Sequence, residues 1–113
     1  MFVDRERAAL DAIAAHLTRV GSATGAVVNS TVAAFLLRAP ARPADVVFLD
    51  PPFDAGLVEP TLAALATGAW LAPGAHVYVE MEAGTEPAWP AGWQPHRSGR
   101  AGRVGYHLAI GSR

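Results

Sequence analysis

Cysteine is absent from this chain. That excludes disulfides and thiolate metal sites, and it fits a reducing compartment. Lysine is absent too, so all nine basic residues are arginine. Ten acidic residues balance them to a net charge of −1, which argues against a chain that is polybasic throughout. No window reaches about 18 consecutive apolar residues, so no membrane span is expected. The start, Met1 to Arg7, is charged at once and lacks the apolar stretch of a signal peptide. A soluble cytoplasmic protein is the expectation. Internal repeats and low-complexity tracts are missing. The four histidines, His16, His76, His96 and His107, show no metal-ligand spacing and fall on different predicted elements, so no metal site is expected.

What is present points to a globular chain. Its 113 residues are 51% hydrophobic and 17% charged, enough for one domain over 1–113 with one core. The stretch that organises it is Asp45-Val46-Val47-Phe48-Leu49-Asp50-Pro51-Pro52-Phe53. Val46 to Leu49 reads as a strand buried on both faces. The prolines then end it, because neither can donate a ladder hydrogen bond. Pro51 also holds Asp50 extended. A carboxylate, a fixed carbonyl and an aromatic face are thus presented at the C-terminal end of a strand, where open α/β sheets bind ligands.

The remaining elements follow from periodicity and punctuation. Met1 to Val3 looks like the tail of a strand. Leu10, Ile13, Ala14 and Leu17 form a helical stripe within Arg5 to about Val20, before Gly21 and Gly25. Ala26 to Val28 reads as a strand. Thr31 to Arg38 reads as a short helix with Phe35, Leu36 and Leu37 on its apolar side. Leu57 to Ala66 is predicted helical, with Pro60 in its first turn and Gly68 ending it. Trp70-Leu71 is expected to close over the core, and Pro73-Gly74 to turn the chain. His76 to Glu80 reads as a strand, and 82–92 as a loop. Trp93 to Arg97 and Arg103 to Ile110 form a predicted hairpin around Gly99 and Gly102. The order β-α-β-α-β-α-β plus hairpin argues a mostly parallel sheet with a closing antiparallel edge.

With this order, the chain resembles the methyltransferases that use S-adenosylmethionine, and more narrowly the bacterial 16S rRNA guanine-N2 methyltransferases. The resemblance is carried by Val-Val-Phe-Leu-Asp-Pro-Pro-Phe at 46–53, Gly-Leu-Val-Glu at 56–59 and Trp-Leu-Ala-Pro-Gly-Ala at 70–75. Val-Tyr-Val-Glu at 77–80, Pro-Ala-Gly-Trp at 90–93 and His96-Arg97 with Arg100-Ala101-Gly102 extend it. It implies a Rossmann-like methyltransferase fold of which this chain is the C-terminal part. The family's first central strand and its glycine-rich cofactor loop have no counterpart here, so a truncated domain of marginal stability is expected. It also implies S-adenosylmethionine as cofactor and 16S rRNA or the small ribosomal subunit as partner, with a monomer when complete. Alternatives within the same reading are an adenine-N6 methyltransferase and a non-catalytic fragment.

Residue roles follow, each beside its plainer alternative. The resemblance makes Asp50 and the Pro51 carbonyl acceptors for the hydrogens of a planar amino group; otherwise Asp50 starts a turn or caps a helix. Pro52 would hold the loop, and Phe53 would stack on a flipped-out base or else fill the core. Asp4 would hold cofactor ribose hydroxyls, or cap the first helix. Thr31 sits where the family often has an acid or amide facing adenine, and departs from that pattern. Arg97, Arg100 and Arg103, beside His96, would contact rRNA phosphates, or form a solvated hairpin. Trp70, Trp89 and Trp93 read as packing residues, and Glu80 ends a strand without an assigned role.

Overall fold

The computed structural model describes residues 1–22, 25–40, 42–51 and 56–111. The chain divides into two compact units, Met1–Arg38 and Ala39–Arg113. In the first, β1 (Phe2–Asp4) and β2 (Val27–Asn29) pair in parallel, with α1 (Arg7–Val20) as the crossover and α2 (Val32–Leu36) following. Leu10 on the predicted stripe of α1 is buried, and Phe35 of α2 is buried as well. Gly21 ends α1 at φ 72°, a left-handed conformation that suits glycine. Its N–H and that of Ser22 close onto the Thr18 and Leu17 carbonyls.

The second unit holds β3 (Ala44–Leu49), α3 (Val58–Thr67), β4 (Leu71–Glu82), β5 (Gln94–Ala101) and β6 (Val104–Ile110). The sheet order is β3-β4-β6-β5, with β3 and β4 parallel and both other pairings antiparallel. Burial alternates along β4 and β6, as a sheet covered on one side requires. Leu49, Val77, Val79 and Ala109 face inward with Val58, Leu62 and Leu65 of α3. Pro60 lies in the first turn of α3, where its missing N–H does no harm.

Several expectations are corrected. Strand β3 is not buried on both faces, since Val46 and Phe48 are 53% and 75% exposed. The described part of this unit has one helix, and a single helix covers one face of a sheet. Parallel and antiparallel pairings are equally represented, and the strands form two sheets rather than one mostly parallel sheet. Leu37 is not core. It lies past the end of α2 and is 88% exposed, because a five-residue helix buries little beyond one side chain.

Pro73-Gly74 does not separate Trp70-Leu71 from the strand at 76–80. Strand β4 starts at Leu71 and absorbs the pair as an irregularity, with Gly74 at φ 75°. Gly99 does not belong to the hairpin turn. Strand β5 continues to Ala101, and only Gly102 of the two glycines has positive φ. Gly99 instead lies under the Tyr106 ring, where a Cβ would collide with Oη and Cζ of that ring.

Candidate active site

Parallel register builds the site. Leu49 at the end of β3 pairs with Val79 of β4, so Asp50 and Glu80 follow side by side. Asp50 is exposed, yet it holds its proton above the usual carboxylate range. Partial burial is the larger cause and the like charge of Glu80 the second. Glu80 is itself fixed: the Tyr78 phenol donates to its Oε2 at 2.8 Å. That hydrogen bond raises the Tyr78 pKa, with burial and the Glu80 charge acting in the same direction.

Tyr78 sits between two rings. Phe48 meets it edge-on, with centroids 5.8 Å apart, and Tyr106 stacks beside it at 6.5 Å. These contacts are of the offset and edge-to-face kinds that aromatic quadrupoles favour. A half-open cleft of about 110 Å³ adjoins Pro51 and is lined by Glu59, Glu80, Met81, Glu82 and Thr85 among others. The Asp50 side chain does not line it. Glu59, from the first turn of α3, also accepts the Ala88 N–H at 3.2 Å and so ties the loop after β4 to the helix.

The other predicted site residues are placed as follows. Pro52 and Phe53 lie outside the described residues. Asp4 ends β1, and its Oδ1 accepts the Glu6 N–H at 2.8 Å. Its carboxylate therefore organises the strand-to-helix turn, and its second oxygen is of the right type for a ribose hydroxyl. Thr31 caps α2, accepting the Ala34 N–H through its hydroxyl at 3.2 Å. Arg97 and Arg100 both lie on exposed strand β5, but they pair with Leu108 and Gly105 and so point to opposite faces. Arg100 also turns back through Nε onto the Gly102 carbonyl, and Arg103 is exposed in the turn.

Sequence reasoning left Tyr78 and Glu80 without roles. Their i, i+2 spacing on a strand was a signal that they share a face. Their relation to Asp50 required the register between β3 and β4. Trp93 is buried and packs against Trp89 at 6.1 Å, in line with a packing role. Among the described residues no cluster of three or more potential metal ligands occurs, and no helix is long and apolar enough to cross a membrane.

Comparison with known proteins places this geometry in context. The ribosomal RNA small subunit methyltransferase D of Escherichia coli K12 is 37% identical over 107 residues, which cover 94% of this chain and 54% of that protein. The Haemophilus influenzae protein of the same name is 37% identical over 83 residues, covering 73% of this chain and 43% of its own. The chain thus spans about half the length of these curated relatives. Among solved structures, the candidate methyltransferase yhhF from Escherichia coli superposes with a TM-score of 0.88 at 36% identity, over 98% of this chain and 63% of that one. The candidate methylase HI0767 from Haemophilus influenzae gives 0.86 at 29% identity, over 99% and 71%. The family model described as Conserved hypothetical protein 95 matches residues 1–110, and the chain belongs to that family, whose likeness here runs to ribosomal RNA small subunit methyltransferases.

Proposed function

We propose that this chain is the C-terminal part of a Rossmann-like methyltransferase domain, whose first central strand lies outside it. The enzyme would transfer a methyl group from S-adenosylmethionine to the exocyclic N2 of a guanine in 16S rRNA. The observation that carries this is the Asp50-Pro51 strand end, set beside Glu80 and next to the cleft that Pro51 lines. The names of the relatives support rRNA as the substrate class.

The amino nitrogen of guanine is a weak nucleophile because its lone pair is delocalised into the ring. Asp50 and the Pro51 carbonyl would accept its two hydrogens and draw the nitrogen toward tetrahedral geometry. A carboxylate whose proton affinity is raised by burial and by Glu80 is the better acceptor for that role. S-adenosylmethionine supplies the electrophilic methyl when bound, and Asp4 fits its ribose by position and type. Thr31 uses its hydroxyl oxygen as the α2 cap and stands where the family often has an acid or amide, and that departure argues against a side-chain contact to adenine. Arg97, Arg100 and Arg103 would meet rRNA phosphates, from both faces of the edge strand. Phe53 would stack on the flipped base and Pro52 would hold the turn. A cytoplasmic monomer, without metal, is the working form.

The test is methyl transfer to small subunits lacking the modification, with duplex DNA as control and the modified nucleoside identified by mass spectrometry. N2-methylguanine from rRNA is the expected product. N6-methyladenine would establish the adenine reading instead. Absence of cofactor binding by the chain, restored when it is joined to the N-terminal half of a relative, would show that the chain is a fragment of the enzyme, inactive by itself.

A further inference from the structure

We infer that Glu80, held by Tyr78, reads the N1–H of the acceptor guanine and so selects guanine against adenine. This deepens, and rests on, the reading of the Asp50-Pro51 turn as the acceptor-base site. Three geometric facts carry it. The register sets Glu80 beside Asp50 at the end of adjacent parallel strands. One Glu80 oxygen is pinned by the Tyr78 phenol at 2.8 Å, which fixes the direction of the other. Glu80 and Pro51 line the same cleft.

The donor and acceptor patterns then match. The Watson–Crick edge of guanine offers three hydrogens side by side, one on N1 and two on N2. Asp50, the Pro51 carbonyl and Glu80 are three acceptors with no donor among them while the carboxyls are ionised. The corresponding edge of adenine carries its amino group beside an N1 lone pair. That lone pair would face the Glu80 carboxylate, so adenine is rejected by repulsion as well as by a missing bond. Two like charges side by side are unfavourable in the empty site, and after burial the Glu80 charge is the second cause that raises the proton affinity of Asp50. The row of three hydrogens on guanine relieves that repulsion. Tyr78 is the positioning residue: its ring is wedged between Phe48 and Tyr106, so its hydroxyl holds Glu80 in one direction.

The experiment uses short single-stranded RNAs with one guanine, 2-aminopurine or adenine, titrated against the full chain. 2-Aminopurine keeps the exocyclic 2-amino group, replaces N1–H with a lone pair and lacks O6, so the Glu80 variants, which leave any O6 contact untouched, isolate the proposed contact. Wild type should prefer guanine over 2-aminopurine by about tenfold, the scale of one well-placed base-edge contact. Glu80→Gln, whose amide can donate to that lone pair, should abolish or reverse the preference. Tyr78→Phe keeps the ring and removes the clamp, and should narrow the preference without reversing it. If Glu80→Gln fails to fold, as checked by circular dichroism, Glu80→Asp carries the test, since it keeps the charge and should lose the preference through shortened reach. A guanine preference that survives the Glu80 variants would overturn the role of Glu80 and leave the acceptor-base reading intact. A wild-type chain that binds guanine and 2-aminopurine alike but better than adenine would overturn the role of Glu80 alone, and one that binds all three RNAs alike would overturn both.

Discussion

Asp50→Asn separates the chemistry of the turn from its stability. In the folded chain Asp50 holds its proton more tightly than an ordinary carboxylate, first through burial and then through Glu80. The unfolded chain therefore gives up this proton at lower pH than the folded one. Through the window above the ordinary carboxylate pKa, about 3.9, folding takes up protons, and stability falls as pH rises. Below that window both states are protonated and nothing is lost. Asparagine removes the titration. Wild type and variant should then match in acid and separate toward neutral pH, with the variant the more stable.

The size of that separation is limited by exposure. Asp50 is solvent-exposed, so water screens much of the Glu80 repulsion and the gain should stay below about 0.5 kcal/mol. In a domain of this size that corresponds to a rise in Tm of roughly 2 °C. Because burial outranks Glu80 as a cause, Glu80→Gln should recover the smaller share. The assay is a series of thermal melts of all three proteins from pH 4 to pH 8. A variant less stable than wild type at neutral pH, or one with the same pH slope, would refute the assignment of an unfavourable charge to this turn.

Two further outcomes test the scaffold. Leu62→Ala, at a side chain of α3 with 0% exposure, should lower stability by about 2–5 kcal/mol in urea titrations, through lost transfer energy and an unfilled cavity. Gly99→Ala should leave the melting temperature nearly unchanged. It reduces unfolded-state entropy by about 0.4–1 kcal/mol in effect, but displaces the Tyr106 ring and forfeits a stack of about 0.5–1.5 kcal/mol. The displaced ring should be visible as a changed near-ultraviolet tyrosine spectrum, and an unchanged spectrum would count against the close approach.

The elements that depend on local pattern were legible from the chain alone. The stripe containing Leu10 gave α1, Gly21 gave its end, and Pro60 fixed where α3 could begin. The strand end at Asp50 was equally plain, because two prolines leave a ladder no further donors. Harder to read was Pro73-Gly74, whose turn chemistry is the same whether it joins two elements or bulges within one. Gly99 was misplaced for a similar reason. A strand glycine that makes room for a cross-strand ring resembles, in sequence, a glycine of the turn.

The sequence by itself determined which residues end strands and cap helices, since these are settled by φ preference, missing N–H groups and side chains within a few positions. The strand end at Asp50-Pro51 belongs to that class, and the Asp-Pro-Pro-Phe motif with its neighbours along the chain carries the family resemblance. Only the tertiary structure decided that Glu80 stands beside Asp50, that Tyr78 holds it, and that Arg97 and Arg100 face opposite ways. The second needs the Phe48 and Tyr106 rings that flank Tyr78, the third needs β5 to run on to Ala101, and the first depends on strand register, which brings together residues about 30 positions apart and is set by the packing of a whole face. Nothing in the local pattern encodes it.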